Sequence, residues 1–289
     1  MMEATTANFK IDSKTTIGKV VLKVANIEKV TAFYSEIIGL TVLGENGNTA
    51  SLGVADQTLL ELQKVDNPMP LARKTGLFHV AFLLPSRKDL GNILYHYLET
   101  QAPLQGASDH GYSEALYLTD PEGNGIEVYH DKPRSEWDIR SNGDIIGITI
   151  EMDAEGVLAA ADRKSASFPE GTTVGHVHLK VSDLLKTDDF YTNILGLTRT
   201  SDFGAQAKFF AAGDYHHHIG SNIWMGNNIP AMEENDLGLA YYTFVVPNQT
   251  AFDQLKEQLK ATATRFDAET NQSLSLNDPN GILIRIEVK

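Results

Sequence analysis

Hydrophobic positions along this chain switch between two periods, and they do so in a recurring order. Residues 18–24, GKVVLKV, alternate as a strand does. Asn26 then suits a helix N-cap before Ile27, Val30, Tyr34, Ile37 and Ile38 at helical spacing, and Gly39 fits the C-terminal cap. Three strand-like runs follow: LTVLGE, TASLGV and TLLELQK. Residues 76–130 repeat the order. A strand, FHVAFLL, leads to a helix with Ser86 as cap and Leu90, Leu94 and Leu98 four residues apart; APLQGAS, EALYLTD and GIEVYHD then read as strands.

The second part of the chain resembles the first. Residues 17–42 align without a gap to 174–199, with 12 of 26 positions identical. GLFHVAFLLP (76–85) matches GLAYYTFVVP (238–247), and DPEGNGIEV (120–128) matches DPNGILIRI (278–286). Three matches in one order mark a tandem duplication. The predicted fold class is α+β, with four βαβββ modules at 17–63, 76–131, 174–226 and 238–289. They group into a tail (1–16), a first domain (17–132), a connecting segment (133–172) and a second domain (173–289). Within the connection, DIIGITIEMD reads as an extra strand and EGVLAAAD as a short helix. A curved βαβββ sheet leaves one face unsatisfied, so two modules together make a cup into which alternate side chains point.

Composition narrows the function. A hydrophobic content of 42% supports a sizeable core, and the net charge of −14 speaks against a nucleic-acid partner or an anionic membrane surface. No apolar run nears the roughly 18 residues of a membrane span, and the polar N-terminus has no signal-peptide core, so a cytoplasmic location is expected. With no cysteine, any metal must be held by His, Asp, Glu or Tyr. No phosphate-binding glycine loop and no nucleophile triad stands out.

Four such modules, with a helix ending FYxxxLGL and DPxG before the last strand, resemble the vicinal oxygen chelate superfamily. This group includes glyoxalase I, fosfomycin-resistance proteins and extradiol ring-cleaving dioxygenases. The segment DHGYSEALYLTDPEGNGIE is similar to the extradiol signature through His110, Leu116, Tyr117, Asp120, Pro121, Gly123 and Glu127; Ser108 departs from it. The arrangement is nearest to two-domain bacterial catechol 2,3-dioxygenases. The resemblance implies metal ligands from first strands and last strands of modules. The first-strand positions are Lys19, His79, His176 and Tyr241, and the last-strand positions after DPxG are Glu127 and Arg285. The ligand-capable set is therefore His79, Glu127 and His176, all in modules two and three. Pairing two with three gathers them in one cup, whereas pairing within each half splits them. Across-halves pairing is preferred, since some superfamily members pair first with last.

Two histidines and one carboxylate suit non-haem Fe(II), with Mn(II) also acceptable, and the resemblance implies an aromatic diol and O2 as partners. Family register places His218 in the cup as the proton-handling group, with His217 second. His110 and Tyr117 match residues that touch bound substrate, and His178 shares a face with His176. A lone strand histidine is more often structural, and a polar strand end is the alternative reading of His216–His218. The repeat and the signature are what lift these residues above that reading. The competing functions are a glyoxalase-like isomerase or lyase, which usually needs a second Glu ligand, and a non-catalytic binder of small aromatics. A homo-oligomer is compatible with the sequence.

Overall fold

The computed structural model describes residues 9–70, 72–162 and 166–289. Residues 1–8 of the expected tail and 163–165 of the connecting segment lie outside the described residues. Module one consists of β1 (Thr16–Val24), α1 (Ile27–Ala32), β2 (Thr41–Glu45), β3 (Thr49–Val54) and β4 (Gln57–Lys64). Module two consists of β5 (Gly76–Leu83), α2 (Arg87–Glu99), β6 (Leu104–Asp109), β7 (Ser113–Thr119) and β8 (Gly125–Asp131). The connecting segment contributes β9 (Ile150–Glu151) and α3 (Ala154–Ala160). The strand expected within 144–153 is thus only two residues long, added antiparallel to the edge strand β6. Module three has β10 (Thr173–Lys180), α4 (Leu184–Asp189), β11 (Thr198–Phe203), β12 (Ala207–Ala211) and β13 (Ile219–Asn222). Module four has β14 (Gly238–Val246), α5 (Gln249–Ala261), β15 (Asp267–Ala268), β16 (Ser273–Asn277) and β17 (Leu283–Val288).

The helices start where the side chains dictate. Asn26, Ser86, Asp183 and Asn248 each accept a backbone N–H from the first turn of the helix they precede. The two FYxxxxGL segments share a wider last turn. Both α1 and α4 run on into π-helical stretches, Phe33–Ile38 and Phe190–Ile194, so the repeat preserves this geometry as well as the sequence. Among the described residues, no helix is long and apolar enough to cross a membrane.

Sheet order decides the pairing. One sheet runs β15-β16-β17-β14-β1-β4-β3-β2 and the other β11-β12-β13-β10-β5-β8-β7-β6-β9. Module one thus joins module four through β1 and β14, and module two joins module three through β5 and β10. Each sheet takes one module from each half of the duplication. The helix-facing residues of both sheets, among them Val20, Leu22, Val80, Phe82, Val177, Leu179, Tyr242 and Phe244, form one buried core with the helices. The opposite faces curve into cups.

Candidate active site

Strand alternation builds the site in the cup of modules two and three. His79 on β5, Glu127 on β8 and His176 on β10 all project from the face opposite the core. The turn before β8 sets Glu127 in place. Asp120 accepts the backbone N–H groups of Glu122 and Asn124 at 2.8 and 2.9 Å, and Gly123 takes a φ of 94°. The ligand atoms converge. His79 Nε2 lies 3.0 Å from Glu127 Oε2, His176 Nε2 lies 3.3 Å from the same oxygen, and the two nitrogens are 3.3 Å apart. Among the described residues this is the single His/Asp/Glu group whose ligand atoms cluster this closely.

The electrostatics suit a cation. Burial holds His176 neutral, its pKa pushed down to about 4 against the pull of Glu127. Burial pushes Glu127 up, but the two imidazoles outweigh it and keep the carboxyl well below its usual range. A divalent metal takes neutral imidazole and ionised carboxylate donors, and His176 and Glu127 are held in those states, so the donor set fits such an ion. The second nitrogen of His176, Nδ1, meets the Tyr129 hydroxyl at 3.3 Å. Gly175 makes this approach available, since a Cβ there would sit 1.8 Å from that hydroxyl.

Around the ligands lies a cavity of about 290 Å³, walled by Phe78, Phe203, Phe209, Trp224 and Ile148. His178 faces it, paired across the strands with His79. Burial pushes its pKa well down, and its Nε2 has no protein partner among the described residues. His110 and Tyr117 close one side, with His110 Nε2 2.6 Å from the Tyr117 hydroxyl. His110 Nδ1 donates to the Ile148 carbonyl at 2.8 Å, so Nε2 accepts the Tyr117 proton. Burial, then Glu127, raise Tyr117 far above its ordinary value and keep the phenol protonated.

The structure reverses the register expected for the histidine run. His217 lines the cup, its ring 4.2 Å from that of His176 and 4.9 Å from Phe209. His218 instead lies against Tyr215 in a separate cavity with Gly175 and Thr173, and its Nδ1 accepts the Ala212 N–H at 3.2 Å. The reason is local. Strand β13 begins only at Ile219, so residues 213–218 are irregular and alternation does not extend back through them.

The sequence model of the Glyoxalase/Bleomycin resistance protein/Dioxygenase superfamily matches residues 16–128 and 173–286. This chain belongs to that superfamily. The catechol-2,3-dioxygenase of Bacillus subtilis (strain 168) is 41% identical over 275 residues, covering 93% of this chain and 95% of that protein. A solved structure from Bacillus subtilis subsp. subtilis str. 168 superposes with a TM-score of 0.65 at 12% identity, over 97% of this chain and 86% of that one. Glyoxalase I from Zea mays does so with a TM-score of 0.59 at 13% identity, over 95% and 92%. These two likenesses are of fold.

Within the superfamily fold, strand register identifies equivalent positions in all four modules. Val21 pairs with Glu61, Ala81 with Glu127, His178 with Gly220 and Thr243 with Arg285, each two residues after Lys19, His79, His176 and Tyr241. The second cup therefore holds Lys19, Glu61, Tyr241 and Arg285, and these residues pair with one another. Lys19 Nζ bonds Glu61 at 2.7 Å, and Arg285 donates to the Tyr241 hydroxyl at 3.1 Å. Glu61 was missed from sequence because no DPxG precedes its strand. In the first cup the corresponding Gly220 leaves room for His178, whose ring carbon would lie 2.9 Å from a Cβ there.

The displaced His218 has its own consequence. Burial first, and His216 and His176 after it, push its pKa down to about 3. The unfolded chain then binds the proton that the folded chain refuses, so stability is full above pH ~6.5 and falls as pH drops toward 3. We expect urea unfolding of wild type and His218→Gln between pH 6 and 4 to show a slope shallower by one proton in the variant, about 1.4 kcal/mol per pH unit. Parallel slopes would contradict a neutral buried His218.

Proposed function

We propose that this protein is an extradiol ring-cleaving dioxygenase that acts on catechol-like diphenols with O2 at a 2-His-1-Glu Fe(II) site. The observation that carries this reading is the convergence of His79, Glu127 and His176 at the floor of an aromatic-walled cup. The catechol-2,3-dioxygenase relative supports it. Redox chemistry between diol and dioxygen is what Fe(II) supplies in such a site, and Mn(II) accepts the same ligands. Gly220, standing where a second carboxylate would come from, supports a three-ligand protein set over the glyoxalase-like alternative.

The chain's own residues would do the rest. The walls from Phe78, Phe209 and Trp224 suit the faces of one aromatic ring and exclude water. Among the described residues neither Lys nor Arg lines the cavity, so an uncharged diol is favoured over one bearing a carboxylate. With its proton committed to His110, the Tyr117 oxygen keeps lone pairs for a substrate hydroxyl. His178 offers its unpartnered Nε2, and His217 is placed to take and return a proton beside the ligands. Supplied with Fe(II), catechol and air, the protein should take up one O2 per ring and form a yellow semialdehyde. Dioxygen uptake with absorbance spectroscopy checks this. A muconic acid product, or no uptake across a panel of catechols and hydroquinones with iron bound, would refute it.

A further inference from the structure

A carboxylate lies behind the cup histidine, reached through a second ring. Asp131 ends β8 on the same face as Glu127 and Tyr129, by the two-residue period of the strand. Its Oδ1 is 2.9 Å from His216 Nε2, and His216 Nδ1 is 2.8 Å from His217 Nδ1. His216 is buried, and its plane is fixed by Tyr112, which stacks on it at 4.3 Å between centroids and 14° between planes. The mechanism above uses neither Asp131 nor His216.

Hydrogen-bond polarity along this chain has one consistent solution for neutral rings. A carboxylate only accepts, so His216 must donate to it from Nε2. A neutral imidazole carries one N–H, so His216 Nδ1 is then an acceptor. His217 must therefore donate from Nδ1, which leaves the lone pair on Nε2. No protein group among the described residues bonds that Nε2, and the ring borders the cavity. The opposite polarity needs a second N–H on His216, and it would turn an N–H rather than a lone pair of His217 Nε2 toward the cup.

We propose that Asp131 and His216 are positioning residues that hold His217 as the Nδ1–H tautomer with its Nε2 lone pair presented to the cup. This rests on the reading of His217 as the proton-handling group of the proposed dioxygenase. The partner of a functional histidine's second nitrogen fixes which nitrogen is free to act. Here that partner is another histidine, itself oriented by a carboxylate from the strand that carries the metal ligand Glu127. The adjacent histidines 216 and 217 thus have different tasks: one points back to β8, the other into the cavity.

Two measurements test this. In 15N-histidine-labelled, Zn(II)-loaded protein, long-range 1H–15N spectra report the tautomer of each ring, with assignments from His216→Gln and His217→Gln. The expected result is a protonated Nδ1 on His217 and a protonated Nε2 on His216. A protonated Nε2 on His217 would overturn the proposal. Because it needs no turnover, this result stands apart from failure of the dioxygenase reading, which would show as absent O2 uptake by wild type. The second measurement is kinetic, in Fe(II)-loaded protein. Asp131→Ala should lower kcat by about 10–100-fold, the usual range for a group behind the reacting one, with KM and metal content little changed. In a His217→Gln background the same substitution should cost nothing further, since its route of action is gone. An equal loss in both backgrounds would mean that Asp131 acts on structure in general and would overturn the assignment.

Discussion

Glu127→Ala, His79→Ala and His176→Ala are each expected to yield a folded protein that fails to retain metal, whereas wild type and Lys19→Ala should hold close to one ion per chain. The first cup supplies three donors whose atoms lie 3.0–3.3 Å apart, converging on one point where a cation would sit. Removing Glu127 takes away the one carboxylate that lines this cup among the described residues and leaves two imidazoles. Loss of a residue behind a ligand typically costs 10–100-fold in affinity, so loss of a ligand itself should exceed about 100-fold. The second cup cannot compensate. Glu61 is bonded to Lys19, and Arg285 puts a positive charge where Glu127 has a negative one. The experiment is anaerobic loading with Fe(II), removal of free ion and metal analysis, with thermal melts beside it. Bound metal stabilises the native state by about 2.7 kcal/mol at 100 times Kd, so wild type should melt higher when loaded and the three variants should not. Two ions per chain, or full retention in Glu127→Ala, would contradict this account of the cups.

The second large effect separates two neighbours. His217→Gln should lose about 10²–10⁴-fold in turnover per bound iron, the usual worth of general acid–base assistance. His218→Gln should stay within about tenfold of wild type, a barrier difference of roughly 1.4 kcal/mol. His217 borders the cavity and touches His176, while His218 opens to another cavity and is tied to the backbone at Ala212. Glutamine keeps polarity and approximate size but cannot titrate near neutral pH, so the comparison isolates proton handling. Rates must be divided by iron content, because a lost ion imitates a lost acid. If His218→Gln is the crippled variant, the assignment of His217 as the cup's proton carrier fails.

Much of this was readable in the sequence, for a reason that can be stated. Strand and helix periods are local, and duplication writes each of them several times. The βαβββ order, the caps at Asn26 and Ser86 and the DPEG turn before Glu127 all follow from neighbours a few residues apart. So does the cup-facing set His79, Glu127 and His176, because residues in register with one another in each repeat share a face of the sheet. The wide last turns after α1 and α4 lay in the repeated FYxxxxGL segments, but period alone predicts an ordinary helical turn there.

Tertiary structure decided the remainder. Nothing local says which module lies beside which; antiparallel contact of β5 with β10 and of β1 with β14 sets it. Irregular backbone before β13 cancelled the alternation that would have put His218 in the cup. The connecting segment gave no sign of a role, yet its Ile148 carbonyl fixes the ring of His110 across 38 residues. Asp131 and His216 are 85 residues apart and meet only because β8 and the loop before β13 border the same cup. The pairing of Lys19 with Glu61 likewise joins adjacent parallel strands. Sequence thus determined which side chains each strand could offer to a face, since that depends on a period of two. Which faces meet, and which buried polar groups find each other, depends on contacts between distant segments, and only the folded chain holds those.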